Sequence, residues 1–296
     1  MAGIRELRAR IKSVGNIKQI TRAMEMVATT KLRRFQDRAV SSRPYTEEIT
    51  SLVGRLAVVL GEGVKEMPLF RKGEGERYAV LLVTSDRGLC GAYNSNLFRE
   101  MELWIQDPSN DVEKDKVDFF VYGKKGYQYL SKRGFHIERY LVEPPLEEVD
   151  FANAARASQI LMEAFLGGQY AEAKVLYTTF ETMVRYTPRL VPFLPVGGDA
   201  LDSDAAVAKT GGDLLMEPDA ATIFEKLIPR YLETRVFNAL LEALTSEYAS
   251  RRFSMKNATD AASDMQGELQ MVYNRKRQET VTKELLDIVG GAEAVK

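Results

Sequence analysis

One cysteine and one histidine occur in 296 residues. A single cysteine excludes a disulfide framework within the chain. With only one imidazole beside it, a zinc site of the Cys/His kind has no ligand set. Charge of one sign is also missing, because 41 Lys and Arg stand against 42 Asp and Glu for a formal net charge of -1. So balanced a chain has no bulk field to hold it on nucleic acid, and only a local basic patch can do so. No apolar run reaches the ~18 residues that cross a bilayer. The opening stretch MAGIRELRAR lacks the apolar block of a secretory signal. These absences point to the reducing, cytoplasmic side. What remains is ordinary for a globular protein with a real core, at 45% hydrophobic and 28% charged residues.

The texture changes along the chain. In residues 1–60 the apolar positions Ile4, Leu7, Ile11, Val14, Ile17, Ile20, Met24 and Val27 recur at steps of three or four, which is one helical face. Two three-residue steps in a row around Ile17 read as a stammer in a heptad. Pro44 is expected to kink or interrupt this helix, which then ends near Gly61. Residues 77–195 alternate differently. Buried-strand runs at Tyr78–Ser85, Val117–Gly123 and Ala173–Phe180 are separated by helical stretches at 94–106, 124–132 and 151–166. That is the α/β pattern with a mostly parallel sheet. Met183 to Tyr186 extends the last β region, and Pro188, Pro192 and Pro195 mark an extended exit. Residues 196–218, with Asp199, Asp202 and Asp204, read as an acidic flexible loop.

From 219 to 290 the chain is helical again, with Pro218 and Asp219 at its start and a break or kink expected near Pro229. Its apolar seam runs Phe237, Leu241, Leu244, Tyr248, Met255, Ala258, Ala262, Met265, Leu269 and Val272, with Arg251 in the one gap. This sustained heptad argues for a coiled coil, ended by Gly290-Gly291. Both terminal helices are too long to lie within a compact α/β domain, so they are expected to pair as an antiparallel coiled coil. The fold class is therefore a long antiparallel coiled coil of the N- and C-terminal helices plus a Rossmann-like α/β domain. The last helix is expected to overhang the first, leaving Val281, Leu285, Leu286, Ile288 and Val289 without a partner in the chain.

Chemistry-bearing residues are few. Thr84-Ser-Asp-Arg-Gly-Leu-Cys-Gly-Ala-Tyr-Asn94 follows a strand and precedes a helix, where a glycine-rich loop can cradle phosphate and Cys90 can act as a nucleophile. The spacing matches neither dinucleotide nor P-loop fingerprints. The bland reading is a tight turn with Gly88 and Gly91 in unusual conformations, and with Asp86 and Arg87 capping the next helix. Ten basic residues between Arg5 and Arg38 face only Glu6, Glu25 and Asp37. Such a surface is solvated, or meets an acidic protein, or grips RNA. Phe35 is the one aromatic residue there, which counts against stacking on single strands. A second polar block, Asn274 to Thr282, interrupts the seam where packing would continue, as a partner contact does.

Three blocks carry a family signature: IRELRARIKSVGNIKQITRAMEMVATTKLRR from Ile4 to Arg34, SDRGLCG from Ser85 to Gly91, and Glu247 to Ala292 with MKNATDAASDMQ, YNRKRQETVT and DIVGGA. In order and spacing they resemble the gamma subunits of F-type ATP synthases of the bacterial type, over essentially the whole chain. Glu279 departs from the small residue usual at its position. The resemblance implies a central rotor shaft that couples c-ring rotation to conformational cycling of catalytic β subunits and regulates ATPase activity and proton flow. It implies no catalytic site, no cofactor and no nucleotide or nucleic acid bound to this chain. The implied partners are the α and β subunits, the epsilon subunit and the c-ring, on the cytoplasmic face of the bacterial inner membrane. Arg277, Gln278 and Thr282 correspond to shaft residues that meet a β-subunit loop. Met24 corresponds to a residue near an acidic β lever. Leu285, Leu286, Ile288 and Val289 correspond to the tip seated in a hydrophobic bearing. With one cysteine, the redox pair of chloroplast relatives cannot exist here.

Overall fold

The computed structural model describes residues 3–110, 112–197 and 217–293. The acidic segment with Asp199, Asp202 and Asp204 lies outside the described residues. Helix α1 runs Ile4–Leu60, followed by a 3-10 turn at Gly61–Glu66. Then come β1 (Arg77–Val83), α2 (Tyr93–Gln106), β2 (Val117–Tyr122), α3 (Lys124–Arg133) and β3 (His136–Leu141). Helix α4 (Phe151–Leu166), β4 (Tyr170–Phe180), β5 (Tyr186–Leu194) and the final helix α5 (Ala220–Glu293) complete the chain.

The five strands form one sheet in the order β3-β2-β1-β4-β5. The first four are mutually parallel and β5 is antiparallel to β4. Strands β1 and β2 are buried on both faces, which is why they read as unbroken apolar runs. On one face Val80, Leu82, Phe119 and Val121 pack with Tyr93, Leu97 and Met101 of α2 and Leu130 of α3. Gly123 permits the turn into α3: its φ is 98°, and a Cβ there would lie 2.1 Å from the Thr84 carbonyl oxygen. Asp150 caps α4, its carboxylate accepting from the Asn153 N–H at 2.9 Å. Asp219 does the same for α5 with Thr222.

Two compact units emerge: Met1–Thr29 with Arg251–Lys296, and Thr30–Ser250. In the first, α1 and α5 run antiparallel. Arg8 donates to the Tyr273 hydroxyl at 3.1 Å, Lys18 to Ser263 at 2.9 Å, and Thr259 to Thr21 at 2.9 Å. In the second, α1 and α5 also meet each other, as Asn238 donates to Thr46 and Phe35 stacks on Tyr248. There α5 also packs on the sheet domain, with Leu232, Val236, Leu240 and Leu244 fully buried.

Several expectations need correction. Pro44 and Pro229 lie inside continuous helices, so neither interrupts its helix. Proline removes one backbone bond, and packed flanks outweigh that loss; beside Pro44, Ser42 and Thr46 both reach Asn238. Helix α5 passes through Gly290-Gly291 to Glu293, since glycine weakens a helix by only ~1 kcal/mol per residue. Residues 188–194 belong to a strand, with Pro188 and Pro192 on the sheet edge where a missing N–H is tolerated. The turn after β1 places Leu89, not Gly88, at positive φ (63°), beside Gly91 at 56°. Asp86 does not cap α2. Its carboxylate accepts from the N–H of Lys124, at the start of α3, and of Leu146.

Candidate functional site

The heptad frame of α1 decides which residues face α5 and which face outward. On α1 positions 4, 7, 11, 14, 18, 21, 25 and 28 are all buried or half-buried, with Gly15 and Met24 half-buried beside them, and the hydrogen bonds of Lys18 and Thr21 to α5 fix the frame. The steps alternate three and four without a stammer, so the frame is regular. It places Lys18 and Thr21 in the seam, and leaves Ile17, Ile20 and Val27 outside at 50%, 59% and 56% exposure. Met24 is half-buried one position before the seam residue Glu25. Helix α5 repeats the slip: its seam is Met255, Thr259, Ala262, Gln266, Leu269 and Tyr273, while Met265 and Val272 are each 52% exposed.

An antiparallel helix pair has a two-fold axis across it that carries one helix onto the other. Residues one step before the seam on both helices therefore share one face of the pair. Ile17, Ile20, Met24 and Val27 thus join Met265 and Val272 in an apolar face spanning both helices. Hydrogen bonds between Lys18 and Ser263 and between Thr21 and Thr259 hold the seam where apolar contacts are absent. The sequence pattern identified these apolar residues but assigned them to the wrong partner.

The other expected contact residues lie elsewhere along the same unit. Arg277, Gln278 and Thr282 are exposed and make no hydrogen bond among the described residues. Glu279 pairs with Lys276 at 2.9 Å. Because Thr21 sits opposite Thr259, the level of Met24 is about 30 Å from Arg277 along α5 at 1.5 Å per residue. Met24 and the Arg277 block therefore lie at separate levels of the helix pair. Val281, Leu285, Leu286, Ile288 and Val289 are all exposed.

In the second unit, α1 carries a basic groove of about 670 Å³, lined by Arg33, Arg34 and Arg38 with one carboxylate, Asp37, and by Thr30, Ser41, Ser42 and Phe237. Arg38 is fixed, donating to the Val149 carbonyl at 2.8 Å. Arg33 and Arg34 are exposed. Next to the groove, Lys31 and Tyr248 both hydrogen-bond Glu147. Burial alone would raise the Glu147 carboxyl, but these two donors hold it below its ordinary range.

The loop with Cys90 is tied to α5. Ser250 donates to the Cys90 carbonyl at 2.6 Å, Ser246 to the Thr178 carbonyl at 3.1 Å, and Tyr93 to the Ala243 carbonyl at 3.2 Å. The carboxyl ends of β1 and β4, where the strand order reverses, are where open α/β sheets take ligands. Here α5 crosses that place. Cys90 is buried, with Asn94 donating to its sulfur at 3.4 Å. His136 stands at the opposite end of the parallel strands, where its Nδ1 is 2.7 Å from Asp118. The structure does not bring the sequence's one imidazole to its one thiol. Asp118 is buried, which opposes its charge, yet Arg77 and His136 hold its pKa below the usual carboxylate range.

A helix pair with polar hydrogen bonds in its seam and an outward apolar face, joined to an α/β sheet whose ligand crevice holds a helix, is the geometry of a mechanical class of subunit. The family model described as ATP synthase matches residues 3–295. The ATP synthase gamma chain of Cytophaga hutchinsonii is 38% identical over 296 residues, covering 100% of this chain and 99% of that one. That of Mycobacterium tuberculosis is 39% identical over 308 residues, covering 99% and 98%. Among solved structures, a chain of the Euglena gracilis mitochondrial ATP synthase OSCP/F1/c-ring assembly is similar with a TM-score of 0.65 at 20% identity, covering 99% of this chain and 94% of that one. A chain of the Tetrahymena thermophila central stalk and c-ring is similar at 0.58 and 22%, covering 81% and 99%. The chain belongs to the ATP synthase gamma-chain family. Its role is that family's, the central rotor shaft.

Proposed function

We propose that the apolar face of Ile17, Ile20, Met24, Val27, Met265 and Val272 is the surface on which the α and β subunits act, and that the chain has no catalytic site of its own. The observation that carries this is the seam register. Ile17, Ile20 and Val27 face outward while Lys18, Thr21 and Thr259 take seam positions, which costs the free chain stability and is repaid only when a partner covers that face. The exposed tip from Leu285 to Val289 follows the same logic and fits an apolar bearing. Arg277, Gln278 and Thr282 offer unpaired directional groups for a β-subunit loop. The basic groove at Arg33, Arg34 and Arg38 fits an acidic β segment.

Mechanically, rotation presents a different side of the helix pair to each β subunit in turn. An uneven distribution of apolar side chains around the pair, with Met26 and Phe253 on the side opposite Ile20, gives the differential contact energy that favours one β conformation over another. The epsilon subunit and c-ring are assigned to the sheet domain, and the complex to the cytoplasmic face of the bacterial inner membrane. Among the described residues no helix is long and apolar enough to cross a membrane, so this subunit's attachment is assigned to its partners.

The test is co-expression with α and β subunits and assay of the purified complex for ATP hydrolysis and ATP-driven proton pumping. Ile20→Asp with Met265→Asp is expected to leave the free chain's melting unchanged and to lower coupled turnover about tenfold or more, the scale of a desolvated charge at an interface. Arg277→Ala with Gln278→Ala is expected to impair assembly or turnover to a lesser degree. Unchanged turnover in both double variants sinks the assignment of these contacts.

A further inference from the structure

A second basic groove lies on the sheet domain, away from the shaft contacts assigned above. It is walled by Arg139 and Glu143 on the β3 side and by Asn153, Arg156 and Ile160 of α4, with buried Tyr122 between them, and encloses about 280 Å³. A strand irregularity puts Arg139 there. Asp118 pairs with His136 and Phe119 with Ile137, but Phe120 pairs with Arg139, so Glu138 is the extra residue of a bulge. Without it, strand alternation would turn Arg139 to the face covered by α2 and α3. With it, Arg139 shares the face of Phe120 and Tyr122 with α4.

Arg139 and Arg156 are both exposed, and neither has a hydrogen bond or ion pair among the described residues. Glu143 is the one carboxylate lining the groove, so one positive charge is in surplus. Two carboxylates near Tyr122 are committed elsewhere: Asp86 accepts from two backbone N–H groups, and Asp150 caps α4. We propose that this groove docks an acidic segment of another protein, whose carboxylates Arg139 and Arg156 take as paired partners.

Three arguments select that occupant. The groove is smaller than the roughly 300–1,000 Å³ of small-molecule sites, and its guanidiniums stand in water, where a free anion gains little. A protein segment covers half-buried Ile160 as well, excluding the water that weakens each charge pair. Strand addition is disfavoured at both sheet edges, because the bulge interrupts β3 and Pro188 and Pro192 interrupt β5. Recognition therefore runs through side chains, and guanidinium forks suit carboxylates.

The test uses the purified full chain and a hexaglutamate peptide bearing a benzophenone photocrosslinker, with adducts mapped by mass spectrometry. Adducts on α4 or β3 are expected, reduced about tenfold or more in Arg139→Glu with Arg156→Glu, as reversal of two contact charges implies. Arg139→Lys with Arg156→Lys, which keeps charge but loses the fork, is expected to fall between, and an unchanged circular dichroism melt shows that each variant is folded. Loss of all adducts on adding inorganic phosphate at constant ionic strength identifies a free-anion site and overturns the peptide assignment. Adducts only elsewhere, or unchanged by the charge reversal, overturn the site itself. Neither arginine belongs to the shaft contacts, so this outcome and that of the turnover assay are independent.

Discussion

Helix α5 passes through two environments, and the contrast separates what the chain builds alone from what it leaves for others. From Tyr231 to Ser250 nearly every residue is buried, polar ones included, and Thr245 returns its hydroxyl to the Leu241 carbonyl at 2.7 Å. From Arg252 to Val289 only Met255, Thr259 and Ala262 are buried. The first stretch is the core helix of an α/β unit. The second is half of a two-helix pair with a single buried stripe, and at about 25 cal/mol per Å² such a stripe contributes far less than all-round burial. The side chains spared from burial in the second stretch are not uniformly polar, and that is the sign of an absent partner.

The sharpest way to break this contrast is to delete the same side chain on both sides of it. Leu240→Ala is expected to cost about 2–5 kcal/mol in urea unfolding, through lost transfer energy and a cavity. Leu286→Ala is expected to stay within about 0.5 kcal/mol in the free chain, as an exposed substitution does. If Leu286→Ala were equally costly, the tip would be packed in the free chain and the partner argument would lose its footing.

Glu147 comes next in size. It links α1 and α5 through Lys31 and Tyr248, and Glu147→Gln is expected to cost about 1 kcal/mol at pH 7, since the groups are partly exposed and screened. Its folded pKa lies below the ordinary 4.5. The stabilisation is therefore present above 4.5 and is lost as pH falls through the folded pKa. The gap between wild type and variant in melting temperature should narrow on acidification. A constant gap would mean that packing, not charge, sets the cost.

The long elements were legible because their periods are unambiguous: β1 and β2 as buried runs, α4 from Phe151 to Leu166, and the two terminal helices. The partner surface was legible only in part. Local counting picked Ile17 and Ile20 because they are apolar, yet the frame is set by Leu7, Ile11 and Val14 before them and by Ala28, Leu32 and Phe35 after them. A heptad cannot slip for two residues without over- or underwinding the helix, so polar Lys18 and Thr21 go inside. Strand β3 escaped notice because a polar edge strand shows little alternation, and β5 because its prolines read as an extended exit rather than a paired strand. The second groove was invisible, since it depends on a bulge that sequence does not announce.

The polar seam can itself be probed. Thr21→Val with Thr259→Val removes both members of a hydrogen bond while preserving shape, which is neutral to mildly stabilising. A gain of up to about 1 kcal/mol, read as up to about fivefold slower amide exchange in residues 14–28 and 252–266, is expected. Slower exchange of equal size throughout residues 30–250 would show that the two stretches unfold as one and would blunt the contrast.

The smallest effect has the opposite sign to that of Glu147. Glu242 is one of the few residues of the core stretch that is not fully buried. Burial raises its pKa above the ordinary 4.5, and the Phe180 N–H, Arg43 and Arg189 only partly offset that. An acid whose folded pKa is raised stabilises the fold while protonated, and that contribution is lost as pH climbs through its folded value. At pH 7 the ionised carboxylate is therefore a net cost. Glu242→Gln keeps an acceptor for Phe180 and removes the charge, so its melting temperature at pH 7 should exceed that of wild type. Below pH 4 both side chains are neutral and the difference should vanish. Two carboxylates on either side of one helix pair would then report opposite trends over the same titration. A lower melting temperature for Glu242→Gln at pH 7 would show instead that Arg43 and Arg189 outweigh burial.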